Sequence, residues 1–406
     1  MSKRNSYIKR TLYLDKIKPF IDKDIIKVFK GQRRVGKSYL LLQTMDYIKK
    51  IHPQANIIYI NKELDEFWEL KDAQTLLDYV KEKKAEKGKT YLFVDEIQDI
   101  REFEKALRSL LAEGLFDIYC TGSNAKLLSG ELATLISGRH VEIEVFGLSY
   151  LEFLEFYKLA DSDKALENYL HYGGLPFLIH LPMEDAVVYE YLKNIYQTIL
   201  LKDIVSRFNI RNVAFLERLV RFLGDNVGSL VSSKKISDFL KSQQVNISPQ
   251  VVLDYLSHIV SACFIYKVSR TDIEGKKIFE VGEKYYFEDI GVRNAIVGYK
   301  TTDIGKIMEN VCYKHLRTYG YNVLVGISGE KEIDFVCEKQ GEKVYLQVCY
   351  LLSDEKTIER EYENLLALKD NYPKIVVSMD AVKGQNTYQG IHSFHLREFL
   401  TTTHFG

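Results

Sequence analysis

The chain predicts an α/β fold, and two observations carry that expectation. Between residues 25 and 148 short β-rich runs alternate with helical stretches, the pattern of a parallel sheet covered on both faces by helices. Towards the C-terminus the same mixture returns, with NVLVGI, EIDFVCEK, KVYLQVCYL and KIVVSM reading as strands around a charged helix near 354–370. At 406 residues the chain exceeds one hydrophobic core, because cores stop growing at roughly 250–300 residues, so several domains are expected.

In the first block the strand candidates are Ile25–Phe29, Asn56–Ile60, Thr90–Val94, Phe116–Thr121 and Val141–Phe146. Residues 149–226 place apolar side chains at helical spacing, as in YLEFLEFYKLA and LENYLHYGGLPFLIHL, with Gly173, Gly174 and Pro176 interrupting; this reads as a helical lid subdomain. From 227 to 300 two helices, SSKKISDFLKSQ and SPQVVLDYLSHIVSACF, precede a hairpin pattern, FIYKVSRTDIEGKKIFEV, that turns near Glu274-Gly275. Helix, turn, helix and hairpin suggest a winged helix. The expected division is therefore 1–148, 149–226, 227–300 and 301–406.

Lys plus Arg and Asp plus Glu both number 56, so no net field steers the molecule to nucleic acid or an anionic membrane, and any basic surface must be local. No apolar run approaches a membrane span, and the N-terminal stretch has charges where a signal peptide is hydrophobic. Five cysteines (Cys120, Cys263, Cys312, Cys337, Cys349) without a CxxC pair fit free thiols in a reducing compartment. A cytoplasmic protein with no membrane partner is expected.

GQRRVGKS, Gly31 to Ser38, matches the phosphate-loop pattern G-x-x-x-x-G-K-[ST] and stands after the strand IIKVF and before the helical SYLLLQTMDYI. The glycines let the backbone close around phosphate oxygens, and Lys37 neutralises the β and γ phosphates. The hydroxyl of Ser38 can hold Mg²⁺. The nucleotide contacts expected are Gly31, Gln32, Arg33, Arg34, Val35, Gly36, Lys37, Ser38 and Tyr39. In YLFVDEIQDI, Asp95 and Glu96 end a hydrophobic strand, the Walker B arrangement. Asp95 would support the Mg²⁺ shell, and Glu96 would polarise the attacking water. The strand FDIYCTGSN would lie beside the phosphate-loop strand and bring Asn124 to the γ-phosphate as a sensor; a plain turn asparagine is the other reading. Arg139 could be an arginine finger on a neighbouring subunit's nucleotide or a surface ion-pair residue.

With GQRRVGKS, YLFVDEIQDI, TGSNAKLLSG, SGRHVEIEVFGLSYLEF, GGLP, LLKDIV and KYYFEDIGVRNAI in view, the chain resembles a large prokaryotic family of AAA-type ATPases with a C-terminal domain of unknown function. The resemblance implies a P-loop NTPase (AAA-like) core with helical lid, a winged-helix domain and a C-terminal α/β domain similar to the PD-(D/E)xK nuclease fold. It gives Lys37, Ser38, Asp95, Glu96 and Asn124 the family's ATP-site roles. In the C-terminal module Glu309 and Asp334 fit acidic positions. Gln347 and Cys349 stand where Glu and Lys would be required, so nuclease activity is not expected.

The winged-helix stretch carries Lys234, Lys235, Lys267, Arg270, Lys276 and Lys277, a phosphate-contacting set, yet its second helix offers Ser248, Gln250, Asp254 and His258 with no Arg or Lys to read guanine. The expected function is Mg²⁺-dependent hydrolysis of ATP to ADP and phosphate by a switch or motor acting on double-stranded DNA through the C-terminal half. The alternative is a regulatory ATPase whose C-terminal half binds a protein partner. Assembly into a homo-oligomer is compatible with either.

Overall fold

A computed structural model describes residues 7–124, 138–273, 275, 282–351, 355–380 and 387–405, with backbone alone over 355–360. It resolves into two compact units: Met1–Val145 with Ser261–Cys263, and Phe146–Val260 with Phe264–Gly406.

The first unit is built on five strands, β1 (Ile26–Lys30), β2 (Asn56–Asn61), β3 (Thr90–Asp95), β4 (Phe116–Gly122) and β5 (His140–Glu144), ordered β2-β3-β4-β1-β5. Every pairing is parallel. Among the described residues its helices are α1 (Thr11–Ile17), α2 (Lys37–Ile51), α3 (Ala73–Lys83) and α4 (Phe103–Ala112). Alternate strand residues share a face, so Ile26, Val28, Ile58, Ile60, Leu92, Val94, Ile118 and Cys120 form one apolar layer with Leu76 and Val80 of α3 and Ala106, Leu107 and Leu110 of α4. Burying each such aliphatic side chain contributes about 1.5–3 kcal/mol, which fixes strand register as well as helix placement. β4 lies beside β1, as expected for the additional-strand sheet, with Val28 opposite Cys120. The fifth strand runs from His140 to Glu144 rather than Val141 to Phe146. Among the described residues no helix is long and apolar enough to cross a membrane.

The second unit begins with α5 (Tyr150–Tyr157), α6 (Asp163–Tyr172), α7 (Asp185–Thr198) and α8 (Val213–Asp225), and α7 runs on as a π-helix over Ile199–Ser206. There follow α9 (Ser233–Ser242), α10 (Pro249–Ser261), β6 (Ile265–Asp272), β7 (Glu283–Phe287), α11 (Ile290–Val297) and α12 (Ile304–Thr318). Then come β8 (Asn322–Ser328), β9 (Lys331–Lys339), β10 (Glu342–Val348), α13 (Glu355–Leu366), β11 (Lys374–Ser378), β12 (Thr387–Tyr388), β13 (Ile391–His395) and α14 (Leu396–Thr401). The strand that returns against β6 is EKYYF, with Ile265 opposite Phe287 and Ser269 opposite Glu283. Glu274 and Lys276–Val281, where the sequence pattern places the turn and KKIFEV, lie outside the described residues. β6 also pairs in parallel with β8, so one eight-stranded sheet, β12-β13-β11-β10-β9-β8-β6-β7, runs across residue 300. Hairpin and C-terminal strands thus share one sheet, which local alternation cannot reveal.

Several motifs that carry the resemblance meet inside this unit. Asp289 caps α11, accepting from Val292 N–H at 3.1 Å with one oxygen and from Gly174 N–H at 2.8 Å with the other. Gly147 N–H donates to Glu288 Oε1 at 2.6 Å, and Lys314 lies 3.7 Å from Glu288 and 3.8 Å from Asp289. FGLS, GGLP and FEDIG are therefore one buried junction. A Cβ on Gly291 would stand 2.0 Å from the Tyr172 carbonyl oxygen. Gly291→Ala must push backbone apart, so unfolding should need less denaturant, by about 1–3 kcal/mol or more. An unchanged midpoint would mean that the junction yields freely.

Candidate nucleotide site

β1 ends at Lys30, and the chain then has to turn sharply without clashing with β5. A Cβ on Gly31 would lie 2.2 Å from the Val145 carbonyl oxygen, so only glycine fits there. Gly36 has φ 99°, a left-handed conformation that glycine takes without strain, and it launches α2 at Lys37. The free N–H groups of that helix start face the loop, an arrangement suited to anions.

Lys37 is buried and donates to the Gly31 and Gln32 carbonyl oxygens at 3.0 and 2.9 Å. These partners are its own loop's backbone, so the ammonium lies folded into the cradle that a phosphate would fill. The Gln32 side chain is fully buried, and neither its amide nitrogen nor its oxygen has a hydrogen-bond partner among the described residues. Arg33 is buried with its guanidinium 3.7 Å from Glu63, whereas Arg34 (φ 71°) and Tyr39 are exposed. Val35 is buried, and its carbonyl oxygen accepts from Arg10 Nη1 at 2.9 Å. The Arg10 N–H donates to Gln43 Oε1 at 2.9 Å, and Gln43 Nε2 donates to the Ile8 carbonyl at 3.0 Å, tying the N-terminal segment to α2 and the loop.

Asp95 and Glu96 lie at the C-terminal end of β3, the sheet edge where open α/β folds collect their ligands. Asp95 accepts from the Thr121 hydroxyl of β4 and from the Ser38 hydroxyl of α2. Burial pushes its carboxyl above the usual range, and the Glu96 charge adds to this; the two hydroxyls and the Lys37 charge oppose it. A divalent cation between Ser38 and Asp95 would supply the positive charge that this carboxylate needs. Glu96 has φ 56°, its N–H donates to Thr121 Oγ1 at 2.9 Å, and its carboxylate accepts from the Gln98 amide. Gly31 N–H donates to the Gly122 carbonyl at 3.3 Å, which sets half-buried Asn124 two residues beyond the loop's nearest neighbour on β4. The structure thus gathers Gln32, Lys37, Ser38, Asp95, Glu96 and Asn124 at one sheet edge, a set whose chemistry fits Mg²⁺ and a polyphosphate.

Arg139 lies elsewhere. It is exposed, and its carbonyl accepts from Ile26 N–H at 3.0 Å at the start of β1, whereas the loop follows that strand's end. Five residues of strand separate the two, roughly 15 Å. Sequence reasoning missed Thr121, Gln98 and Arg10. The signal for Thr121 was a hydroxyl one residue before Gly122 on the strand beside β3, visible once strand order is known.

In the second unit Glu309 and Asp334 do come together, around a lysine that the sequence pattern did not offer. Lys284 of β7 lies 2.9 Å from Glu309, 2.9 Å from Glu332 and 3.2 Å from Asp334, with its side chain 3% exposed. Tyr286 OH donates to Glu309 at 2.6 Å. Gln347 Oε1 accepts from Asp334 N–H at 3.2 Å, and Asp334 accepts from Val348 N–H at 3.0 Å. Cys349 is buried. The other lysines near the motif point elsewhere: Lys331 pairs with Glu363 and Lys343 with Glu338. Among the described residues no group of three or more His, Cys, Asp or Glu side chains is arranged to hold a metal ion.

A parallel sheet in this strand order, with a phosphate loop after β1 and paired acids at the end of β3, is the arrangement of an AAA-type P-loop core. Residues 23–154 match the AAA domain family and residues 163–303 a domain family of unknown function. The chain is 38% identical over 402 residues to an uncharacterized protein of Haemophilus influenzae, covering 97% of this chain and 98% of that one. It is 31% identical over 363 residues to the uncharacterized protein MJ1544 of Methanocaldococcus jannaschii, covering 85% and 79%. The chain belongs to the family of these two proteins, which the AAA domain places among the AAA-type ATPases. The solved Thermotoga maritima RuvB Holliday junction branch migration motor is similar at 14% identity and a TM-score of 0.36, over 64% of this chain and 90% of that one. A likeness of that size has no bearing on function.

Proposed function

We propose that the protein hydrolyses ATP to ADP and phosphate with Mg²⁺ and uses the cycle as a switch. The observation that carries this reading is the convergence of Ser38, Thr121 and Asp95 beside Lys37 at the end of the sheet. On nucleotide binding Lys37 exchanges its two loop carbonyls for β and γ phosphate oxygens, and the loop N–H groups take the remaining charge. Ser38 and Asp95 would hold the Mg²⁺ shell. Glu96 accepts a proton from the attacking water, and Asn124 reports the γ-phosphate. Arg139, remote from its own loop, acts in trans if copies assemble. The organisation proposed is a core over 1–148, a lid over 149–226, a winged helix over 227–300 and a nuclease-like module over 301–406, the last two joined by their common sheet.

For the effector, the observations favour a protein partner over duplex DNA. Gln250 donates to Asp254 at 3.0 Å, His258 stacks on Phe208 at 4.2 Å, and Lys267 pairs with Glu283 at 2.7 Å, so these side chains are already engaged. Lys276 and Lys277 lie outside the described residues. Phe239 of α9 and Val251 and Leu253 of α10 are exposed apolar side chains, which suit a protein surface better than phosphates. Salt-dependent affinity for duplex DNA would reverse that preference.

The test of the ATP site is Lys37→Ala. The cradle keeps its backbone but loses its charge, so ATP affinity should fall about tenfold to a hundredfold at physiological salt, measured by titration with a fluorescent ATP analogue. Unchanged affinity would remove the site.

A further inference from the structure

Glu96 can serve as a base only if its carboxylate faces the γ-phosphate, and its backbone does not ensure this. It sits at φ 56° and ψ 54°, a left-handed conformation sparsely used by residues other than glycine, with its N–H fixed on Thr121 Oγ1. The chain then closes a single 3-10 turn, Ile97–Asp99, in which Asp99 N–H returns to the Glu96 carbonyl at 3.1 Å. That turn brings the Gln98 side chain back onto Glu96, where Nε2 donates to Glu96 Oε2. The orientation of the amide follows from chemistry, since an ionised carboxylate accepts only and must meet the NH₂ end. The other end of the amide, Oε1, is buried and accepts no hydrogen bond from the described residues. A buried carbonyl oxygen of this kind ordinarily meets a donor.

We propose that Gln98 is a positioning residue of the hydrolytic reaction, holding the Glu96 carboxylate in its working direction while Oε1 accepts a hydrogen bond from the second O–H of the water that Glu96 polarises. This deepens the ATPase reading above and rests on it. In the step itself the water oxygen forms a bond to the γ-phosphorus and gives one proton to Glu96. The bond from the γ-phosphorus to the bridging oxygen breaks, and ADP leaves with that electron pair. The water's second proton stays on the oxygen that becomes part of phosphate, hydrogen-bonded meanwhile to Gln98. Gln98 is neither acid nor base. It fixes where the lone pair of the water points, and misdirection of that lone pair slows the attack by factors of ten to a hundred or so.

The decisive experiment is a double-mutant cycle on the full chain with Gln98→Met, which keeps the side chain's length and removes both polar ends, and Glu96→Gln. The proposal expects Gln98→Met to lower kcat about tenfold to a hundredfold with KM and ATP affinity within about twofold of wild type. It expects almost no further loss when Gln98→Met is added to Glu96→Gln, read in single turnovers, because both residues hold the same water. A purely structural role in the turn would slow both backgrounds alike. Equal losses in both backgrounds, or wild-type kcat in Gln98→Met beside an inactive Glu96→Gln, overturn the role of Gln98 alone. Wild-type turnover in Glu96→Gln overturns the assignment of the base and Gln98 with it. Gln98→Leu, read for kcat and ATP affinity in the same way, replaces Gln98→Met should the latter fail to fold.

Discussion

Glu96→Gln is expected to bind Mg²⁺-ATP with wild-type affinity and to turn it over about a hundredfold or more slowly. The substitution leaves Lys37, Ser38 and Asp95 in place, and an amide of the same shape can stay in the pocket beside Gln98 and Thr121. What disappears is the acceptor of the water's proton. Nucleotide should therefore persist on the protein, measured as bound ATP recovered intact after incubation with Mg²⁺. Removing the negative charge also relieves Asp95, whose carboxyl burial raises first and the Glu96 charge raises further. For that reason binding should hold or tighten rather than weaken. Rapid release of ADP and phosphate from the variant would assign the base to another group. A loss of ATP affinity as large as that of Lys37→Ala would make Glu96 part of the binding surface instead.

The elements legible in the sequence are those whose signal is local. Five short β-rich runs in the first block gave strands within a few residues, because Ile26, Val28, Ile58, Ile60, Leu92 and Val94 alternate in sequence as they do across the pleat. The phosphate loop and the Asp95-Glu96 pair were legible because geometry forces glycine at Gly31 and Gly36 and places acids at a strand end. Ser149 and Glu152 form a capping box at the start of α5, a signal present in SxxE that would have sharpened the boundary near 149. What was not legible depends on elements distant in sequence meeting in space. Thr121 reaches Asp95 only because β4 lies between β3 and β1, and Arg10 reaches Val35 across the start of α2. The hairpin read as a separate module because its local pattern carries no trace of β6 pairing with β8.

Lys284 is the clearest case, being 25 residues from Glu309 and 50 from Asp334, and its replacement should have the largest effect on stability. Burial opposes its charge, but the carboxylates of Asp334, Glu309 and Glu332 outweigh burial and raise its pKa. Lys284→Met removes the cation that lies against three carboxylates. Breaking a buried ion pair from one side costs about 3–5 kcal/mol, because the remaining charges are left without compensation. Burial and the neighbouring Asp334 hold the Glu309 carboxyl up to about 7, against the restraint of Lys284 and Tyr286. A carboxyl raised in the folded state holds its proton more tightly there than in the unfolded chain. Its contribution is fully present below the unfolded value and is lost as pH rises through the folded one. Without Lys284 the Glu309 carboxyl moves higher still, and protonation becomes the remaining way to relieve the cluster. The stability gap between wild type and Lys284→Met should therefore be widest near pH 8 and narrow as pH falls towards 5.5, measured by thermal unfolding of both proteins in matched buffers. Lys284→Arg, which keeps the charge, should lose much less. A gap that widens on acidification, or equal midpoints at pH 8, would show that the ammonium does not hold the three carboxylates together.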